Sequence, residues 1–280
     1  MKSRIFCIFV KISSQSELFL YNNDDLSKKK IIDAISDYFE HGDIRERLIS
    51  PSSESVRRER FAAYSALLFA TEQLLGIMPK IDFNSNKPRF SEENILLGEG
   101  SGVPEFNISH SSGLALVCLS DAYQIGCDIQ AEISEDRAQR IGERLIRSRK
   151  KYLSPSLPLL CPECTNDCSG DFEVLHYFFD CQSGELIPIE PQSVIDGNNP
   201  SGLCFGFGKS TVGSAEGLEV TEADDVLKSW CTLESILKCI GGGFGSLSDI
   251  DGEADKITTL GSPLSLKGEK YYASISVLKK

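Results

Sequence analysis

The sequence predicts a folded protein that combines long helices with strands. Hydrophobic residues make up 41% of the 280 residues and charged residues 25%, an ordinary composition for a globular protein and not that of a fibrous repeat or a disordered chain. Helical periodicity recurs in three segments, and two neighbouring apolar runs have the pattern of strands. The length allows one large domain or two smaller ones.

The first predicted helix covers residues 52–75. An apolar stripe follows one side of this segment, and Gly76 provides a residue type that commonly ends helices. Its first turns are rich in arginine, with Arg57, Arg58 and Arg60. A basic helix beginning is therefore expected here.

A loop and two strands are predicted in the middle of the chain. The stretch 91–104 is polar and glycine-rich, and 106–112 is interpreted as its continuation. The run 114–119 is apolar throughout, as in a strand buried on both faces, and 124–130 alternates. This alternation separates two sets of side chains onto opposite faces: Ile125, Cys127 and Ile129 against Gly126, Asp128 and Gln130.

The remaining elements are predicted from the distribution of charge and from the positions of proline and glycine. Residues 134–152 predict a helix that begins acidic and ends basic, the polarity that a helix dipole favours. Residues 154–220 are rich in proline, glycine and cysteine and are interpreted as an irregular or β-rich insertion. A third helix is expected within 221–240, before a run of glycines, and a last strand at 271–278.

Two acidic residues occupy positions that need an explanation. Asp128 lies inside a strand, where aspartate is depleted, and Gly126 beside it leaves space for a ligand to approach. Glu234 lies at the margin of an apolar helix face, four residues before Lys238. Each also has an ordinary interpretation: Asp128 as an edge-strand charge that prevents aggregation, and Glu234 as half of a surface ion pair.

A short polar segment, Ser109, His110 and Ser111, precedes the buried strand. Its hydroxyls, imidazole and backbone amides are groups that bind phosphate. A histidine with a purely structural hydrogen bond is the alternative.

Read in order, three segments resemble the motif set of the phosphopantetheinyl transferase superfamily, surfactin-synthetase-activating type. They are FNISHS at 106–111, GCDIQ at 126–130 and WCTLESILK at 230–238. Residues 86–88 look like the Gly-Lys-Pro segment of that family, and the helix around Arg57 is similar to its N-terminal helix.

The resemblance covers roughly residues 50–153 and 221–280. It implies an α+β fold of two pseudo-symmetric halves, each a small antiparallel sheet with a long helix. Residues 1–119 would form the N-terminal half on the coenzyme A side. Residues 120–280 would form the metal-binding half, with the insertion at about 154–220. Because one chain supplies both halves, a monomer is expected.

The activity that the resemblance implies is transfer of the 4′-phosphopantetheine group of coenzyme A to a serine of an apo acyl or peptidyl carrier protein. Adenosine 3′,5′-bisphosphate is released, and Mg²⁺ is required. Glu234 and Lys238 match catalytic positions of the family. The residues that match its metal site are Asp128, Gln130 and Glu234. Those that match its coenzyme A site are Arg57, Lys87, Ser109 and His110.

Two positions depart from the commonest family pattern. Gln130 stands where many members have a third metal-binding glutamate, which should lower the affinity for the metal. Leu233 stands where many have a lysine, so more of the phosphate charge would fall to Lys238. A non-catalytic protein that binds coenzyme A or a carrier protein is therefore kept as an alternative.

The insertion and the end of the second helix carry two further hypotheses. Cysteines and a histidine of the insertion could bind zinc, although only one Cys-x-x-Cys pair is present and free thiols are favoured; these residues are Cys161, Cys164, Cys168, His176 and Cys181. A basic patch could dock an acidic carrier protein, or be an ordinary solvated helix end; its residues are Arg147, Arg149, Lys150 and Lys151.

Charge and targeting signals limit partners and location. A formal net charge of −12 argues against a nucleic-acid or membrane-surface binder, since both need a basic footprint. The apolar run 5–10 is too short for a secretory signal, and no segment reaches membrane-spanning length. Ten cysteines without a secretion signal predict reduced thiols and a cytoplasmic location.

Overall fold

The computed structural model shows a mixed α+β protein built from β-sheets and a few helices. The structure describes residues 3–12, 54–77, 80–83, 87–91, 103–152, 172–181, 184–189, 203–205, 208–209, 223–243, 250–253, 256–266 and 268–278. Among these residues, no helix has the length and apolar character needed to cross a membrane.

In chain order, the elements are β1 (Ser3–Lys11), α1 (Glu54–Leu75), β2 (Ile81–Asp82), β3 (Arg89–Phe90), β4 (Glu105–Ser111), β5 (Leu114–Ser120), β6 (Gln124–Ala131) and α2 (Glu135–Tyr152). They continue with β7 (Phe172–Asp180), β8 (Glu185–Pro188), β9 (Leu203–Phe205), β10 (Gly208–Lys209), α3 (Ala223–Cys239), α4 (Ile250–Glu253), β11 (Ile257–Leu266) and β12 (Glu269–Leu278).

The chain forms two compact units. The N unit consists of Arg4–Ala122 and Val174–Ile189, and the C unit consists of Met1–Ser3, Tyr123–Glu173 and Glu190–Lys280. Part of the segment expected as an insertion in the second half thus contributes strands to the N unit.

The N unit is a five-stranded sheet with one long helix. The strand order is β4-β5-β1-β7-β8, with β5 antiparallel to both β4 and β1 and buried along its whole length. Ala63 and Leu67 of α1 pack in one core with Val117 of β5. The continuous apolar run that predicted β5 is therefore explained by burial between neighbouring strands and α1.

The loop expected at 106–112 is wrong for residues 106–111, which belong to strand β4. A tight turn at Ser112 (φ 48°) and Gly113 (φ 82°) reverses the chain and pairs β4 with β5. Positive φ at both residues is the signature of hairpin turns whose twist suits the strands. The strand was missed because its small polar side chains lack the usual apolar alternation.

The C unit places α3 against the face of a second sheet. Its strand order is β10-β11-β12-β6, and β9 pairs with β11. A Cβ atom on Gly126 would lie 2.1 Å from the backbone oxygen of Ser235 and 2.3 Å from the backbone nitrogen of Cys239. Gly126 therefore leaves space for the backbone of α3, and the expectation that a ligand approaches there is wrong.

Hydroxyl groups fix α3 further on β12. Ser235 Oγ lies 2.9 Å from Ser274 Oγ and 2.7 Å from Ser276 Oγ, and all three residues are fully buried. Hydrogen bonds between these hydroxyls satisfy polar groups that would otherwise be costly to bury. The helix is thus held close to the sheet at the residue next to Glu234.

The three predicted long helices are confirmed over the described residues, as are the strands β5, β6 and β12. Gly76 (φ 68°) and Gly241 (φ 76°) follow the ends of α1 and α3 in the left-handed conformation that glycine favours. Gly242 N–H donates to the carbonyl of Leu237 at 2.9 Å, which satisfies one of the last carbonyls of α3. Strand β11, in contrast, was not expected from the sequence.

Candidate functional site

Asp128 and Lys238, 110 positions apart in sequence, form the centre of the candidate site in the C unit. Lys238 Nζ donates to Asp128 Oδ1 at 2.6 Å, and the Asp128 side chain is 1% exposed. Asp128 is two residues from Gly126 on β6, so both face α3. The close packing at Gly126 brings the last turns of α3 over the Asp128 carboxylate.

Glu234 lies one helical turn before Lys238. Its Oε2 atom is 3.9 Å from Lys238 Nζ, and its side chain is 23% exposed. Two carboxylates and one ammonium group thus converge on one place, leaving one excess negative charge when all three are ionised. The predicted pairing of Asp128 with Glu234 across the sequence is supported by this shared contact with Lys238.

Gln130 contributes an amide instead of a third carboxylate. Its Nε2 donates to Asp128 Oδ2 at 3.2 Å, which orients the amide beside the site. Within the described part of the chain, no group of three or more His, Cys, Asp or Glu residues could hold a metal ion. The carboxylate part of the site is limited there to Asp128 and Glu234.

The electrostatics of the site favour a proton or a cation on Glu234. Burial, and then the negative charge of Asp128, raise the pKa of the Glu234 carboxyl from its ordinary 4.5 to about 7, against the opposing effects of Lys238 and Arg144. Burial is the largest single effect on the pKa of Lys238 and acts to lower it, but the negative charge and hydrogen bond of Asp128, together with Cys127 and Glu234, outweigh burial, and the pKa is raised. Burial also raises the pKa of Cys231 well above its ordinary value, so its thiol stays protonated.

A pocket with a cavity volume of about 510 Å³ opens beside these residues within the C unit. Its wall combines three arginines and an isoleucine of α2 with residues of α3 and β6: Arg137, Arg140, Arg144, Ile141, Trp230, Glu234 and Gln130. The guanidinium carbon of Arg144 lies 5.5 Å from the centre of the Trp230 ring, a cation–π distance.

This row of three arginines was not expected from the sequence. Arg137, Arg140 and Arg144 follow at intervals of three and four residues and therefore share one face of α2. That spacing was visible in the sequence. The basic patch expected at the end of α2 involves the side chains of Arg147, Arg149, Lys150 and Lys151, which lie outside the described residues.

The four residues predicted to bind coenzyme A lie in the N unit. Lys87 Nζ lies 3.9 Å from Glu105 Oε2, and His110 Nδ1 lies 2.7 Å from Glu59 Oε2. Ser109 is buried and neighbours His110 on β4, so its side chain points to the opposite face of the strand. The backbone of Arg57 lies on α1, but its side chain is outside the described residues.

The C unit site contains two carboxylates that could serve a hard divalent cation, and both oxygens of Asp128 accept hydrogen bonds, from Lys238 and Gln130. Asp128 and Glu234 present carboxylate oxygens, the donor type that magnesium prefers, and Gln130 holds an amide next to them. A cation would also relieve the repulsion that raises the pKa of Glu234. The chemistry of these donors matches the metal that the motif resemblance implies.

The zinc hypothesis for the insertion is tested only in part. Cys161, Cys164 and Cys168 lie outside the described residues. His176 is buried on β7, and the thiol of Cys181 donates to the backbone oxygen of Lys11 at 3.8 Å. The zinc site stays a hypothesis.

Comparison with known proteins leaves the function to be argued from this geometry. Neither the models of known protein families nor the curated proteins match the chain. The function is therefore inferred from the motif resemblance and from the residues that the fold brings together.

Proposed function

We propose that this chain is a magnesium-dependent 4′-phosphopantetheinyl transferase that modifies a serine of an apo acyl or peptidyl carrier protein. Coenzyme A is the donor, and adenosine 3′,5′-bisphosphate is the second product. The supporting observation is the convergence of Asp128, Glu234 and Lys238 from two separate motifs.

Transfer of a phosphoryl group needs its negative charge neutralised and its reactants held in position. Asp128 and Glu234 would hold magnesium, with the amide oxygen of Gln130 as a weaker third donor. Magnesium supplies a hard Lewis acid for the pyrophosphate oxygens of coenzyme A. The loss of one carboxylate at Gln130 predicts a metal affinity lower than that of a three-carboxylate site.

Glu234 is suited to accept the proton of the serine hydroxyl. Without a metal, burial beside Asp128 raises the pKa of the Glu234 carboxyl to about 7. Magnesium at Glu234 would lower this pKa, so the metal-bound carboxylate is ionised and can accept the proton directly or through water. Lys238 lies between the two carboxylates and can stabilise negative charge that develops on the phosphate. Glu234 and Lys238 are therefore the proposed catalytic residues.

The arginine row on α2 provides the cations that an acidic substrate needs. Arg137 and Arg140 are exposed and form no ion pair with another described residue. Carrier proteins are acidic, so these guanidinium groups complement them despite the net charge of −12. We propose that the carrier serine is presented from this side of the C unit.

The two-halves architecture belongs to the same proposal. Each unit contains a β-sheet with a long helix packed on it, α1 on β5 in the N unit and α3 on β6 and β12 in the C unit. Coenzyme A would be held by residues of the N unit: Arg57, Lys87, Ser109 and His110. A cytoplasmic monomer is the expected form of the enzyme.

A binding protein without efficient chemistry is the second candidate. The observation that favours it is the limited donor set, two carboxylates plus Gln130, together with Leu233 in place of a cation. Such a protein would bind coenzyme A or a carrier without transferring the phosphopantetheine arm.

A mass measurement separates the two candidates. The full chain is incubated with coenzyme A, magnesium and each of several purified apo carrier proteins, and the carrier is weighed by intact-mass spectrometry. The enzyme predicts a mass gain of one phosphopantetheine on at least one carrier, lost when a chelator removes magnesium. Binding of coenzyme A in calorimetry with no mass gain on any carrier would favour the binding protein.

A further inference from the structure

A buried carboxylate on α1 holds the imidazole of His110. Glu59 Oε2 lies 2.7 Å from His110 Nδ1, and Glu59 Oε1 accepts the backbone N–H of Gly113 at 3.1 Å. The side chains are 12% exposed for Glu59 and 25% exposed for His110. One carboxylate therefore contacts both the last part of β4 and the turn that follows it.

This contact determines which nitrogen of His110 faces outward. An ionised carboxylate only accepts hydrogen bonds, so the short contact places a hydrogen on Nδ1. Nε2 is the remaining polar atom of the ring and forms no hydrogen bond with any residue that the structure describes. When the ring carries hydrogens on both nitrogens, Nε2 donates to an anion while Nδ1 stays bound to Glu59.

We propose that Glu59 is a positioning residue that fixes the ring orientation and tautomer of His110, so that Nε2 is presented to a phosphate group of coenzyme A. The inference rests on the proposed function, which gives His110 its phosphate. Glu59 lies on the helix around Arg57, outside the three motif segments at 106–111, 126–130 and 230–238.

A role limited to fixing the hairpin does not require this carboxylate. The N–H of Gly113 needs one neutral acceptor, which a glutamine would also supply. A buried carboxylate loses solvation and gains most when its second oxygen meets a cation or a strong donor. The second oxygen of Glu59 is directed to His110. A charged partner at this position determines the tautomer and the orientation of the imidazole ring.

The test is a double-mutant cycle between Glu59→Gln and His110→Ala, with Glu72→Gln as the matched control on an exposed residue of α1. The KM for coenzyme A and kcat are measured in the transfer assay, and coenzyme A binding is measured by calorimetry. Loss of a hydrogen bond to a charged group weakens an interaction by about tenfold or more. Glu59→Gln should therefore raise KM and Kd for coenzyme A roughly tenfold or more, with kcat changed less than about twofold.

In the His110→Ala background, Glu59→Gln should add no further loss of coenzyme A affinity. An equal loss in both backgrounds, or an unchanged affinity in the single variant, would overturn the positioning role. ¹⁵N NMR of the wild-type chain gives a second readout that does not depend on the stability of any variant. It should show the hydrogen on Nδ1 of His110, and a hydrogen on Nε2 alone would contradict the inference.

The failure of the proposed function would look different. If the wild-type chain binds coenzyme A but modifies no carrier, the transferase proposal is wrong. The binding and NMR comparisons then still decide the role of Glu59. A wild-type chain that does not bind coenzyme A would overturn the positioning role.

Discussion

Replacing Glu234 with glutamine should stabilise the metal-free protein at alkaline pH. The folded state raises the pKa of this carboxyl from 4.5 to about 7, so it binds more protons than the unfolded state in that interval. Stability therefore falls as pH rises from 4.5 through 7. One pKa unit corresponds to about 1.4 kcal/mol, so the full penalty is about 3 kcal/mol above pH 7. Glutamine has a similar shape and carries no such penalty.

The assay is urea unfolding of both proteins with a chelator present, at several values between pH 4.5 and pH 8. Glu234→Gln should have a free energy of unfolding close to that of the wild type near pH 4.5 and about 3 kcal/mol higher at pH 8. Asp225→Asn on the exposed part of α3 is the control, and its difference from the wild type should change little with pH.

Added magnesium should reverse the order of stability, so that the wild type becomes more stable than Glu234→Gln. A ligand that binds the folded state stabilises it by mass action, so added magnesium should raise the stability of the wild type and have less effect on Glu234→Gln. A stability difference that does not depend on pH would refute the electrostatic argument. If magnesium raised the stability of both proteins equally, Glu234 would not be a ligand of the metal.

Three further predictions concern other parts of the molecule. Gly126→Ala should lower the free energy of unfolding by at least about 1–3 kcal/mol in urea titrations and reduce transfer, because its Cβ would displace the backbone of α3. Gly243→Ala is the control, and with no atom near the added Cβ it should change neither stability nor transfer. Burial lowers the pKa of His176 from 6.5 to about 4, so stability should be lost as pH falls from 6.5 to 4; His176→Gln should flatten this part of the stability profile, a change of about 3 kcal/mol. Arg140→Gln should raise the KM for carrier protein several-fold at low salt and less at high salt, whereas Arg89→Gln in the N unit should leave it unchanged.

The elements that hold the candidate site could be predicted because their sequence patterns are regular. Alternation along β6 placed Asp128 and Gln130 on the face opposite Ile125, and helical periodicity placed Glu234 and Lys238 one turn apart. Local periodicity is enough to assign side chains to one face of a strand or helix, since neighbours on one element have fixed spacing. The meeting of the two elements was expected only from the ordered motifs.

The residues that His110 and Gly126 contact could not be predicted, because these contacts join segments that are distant in sequence. Glu59 and His110 lie 51 positions apart, and nothing local marks a carboxylate on α1 as the partner of a histidine on β4. Gly126 was assigned to ligand approach, but the nearest backbone belongs to α3. A glycine in a strand indicates close approach, and only the fold identifies what approaches.

The described residues of the insertion form strands, as its irregular or β-rich interpretation allowed, but the sheets that these strands join could not be predicted. Strands β7 and β8 join the sheet of the N unit, and β9 and β10 join that of the C unit. Short strands that complete a sheet gain their stability from the neighbouring strands, so their own sequences need little amphipathic pattern.

The proposed magnesium-dependent transfer is tested by comparing how the wild type and Asp128→Asn modify an apo carrier protein. Asp128→Asn keeps the size of the side chain but removes the buried charge that binds Lys238 and would bind the metal. With coenzyme A and magnesium, intact-mass spectrometry should show one phosphopantetheine added by the wild type and by the control Asp225→Asn, and a rate at least about a hundredfold lower with Asp128→Asn. Wild-type transfer by Asp128→Asn, or transfer by the wild type that persists without magnesium, would contradict the account.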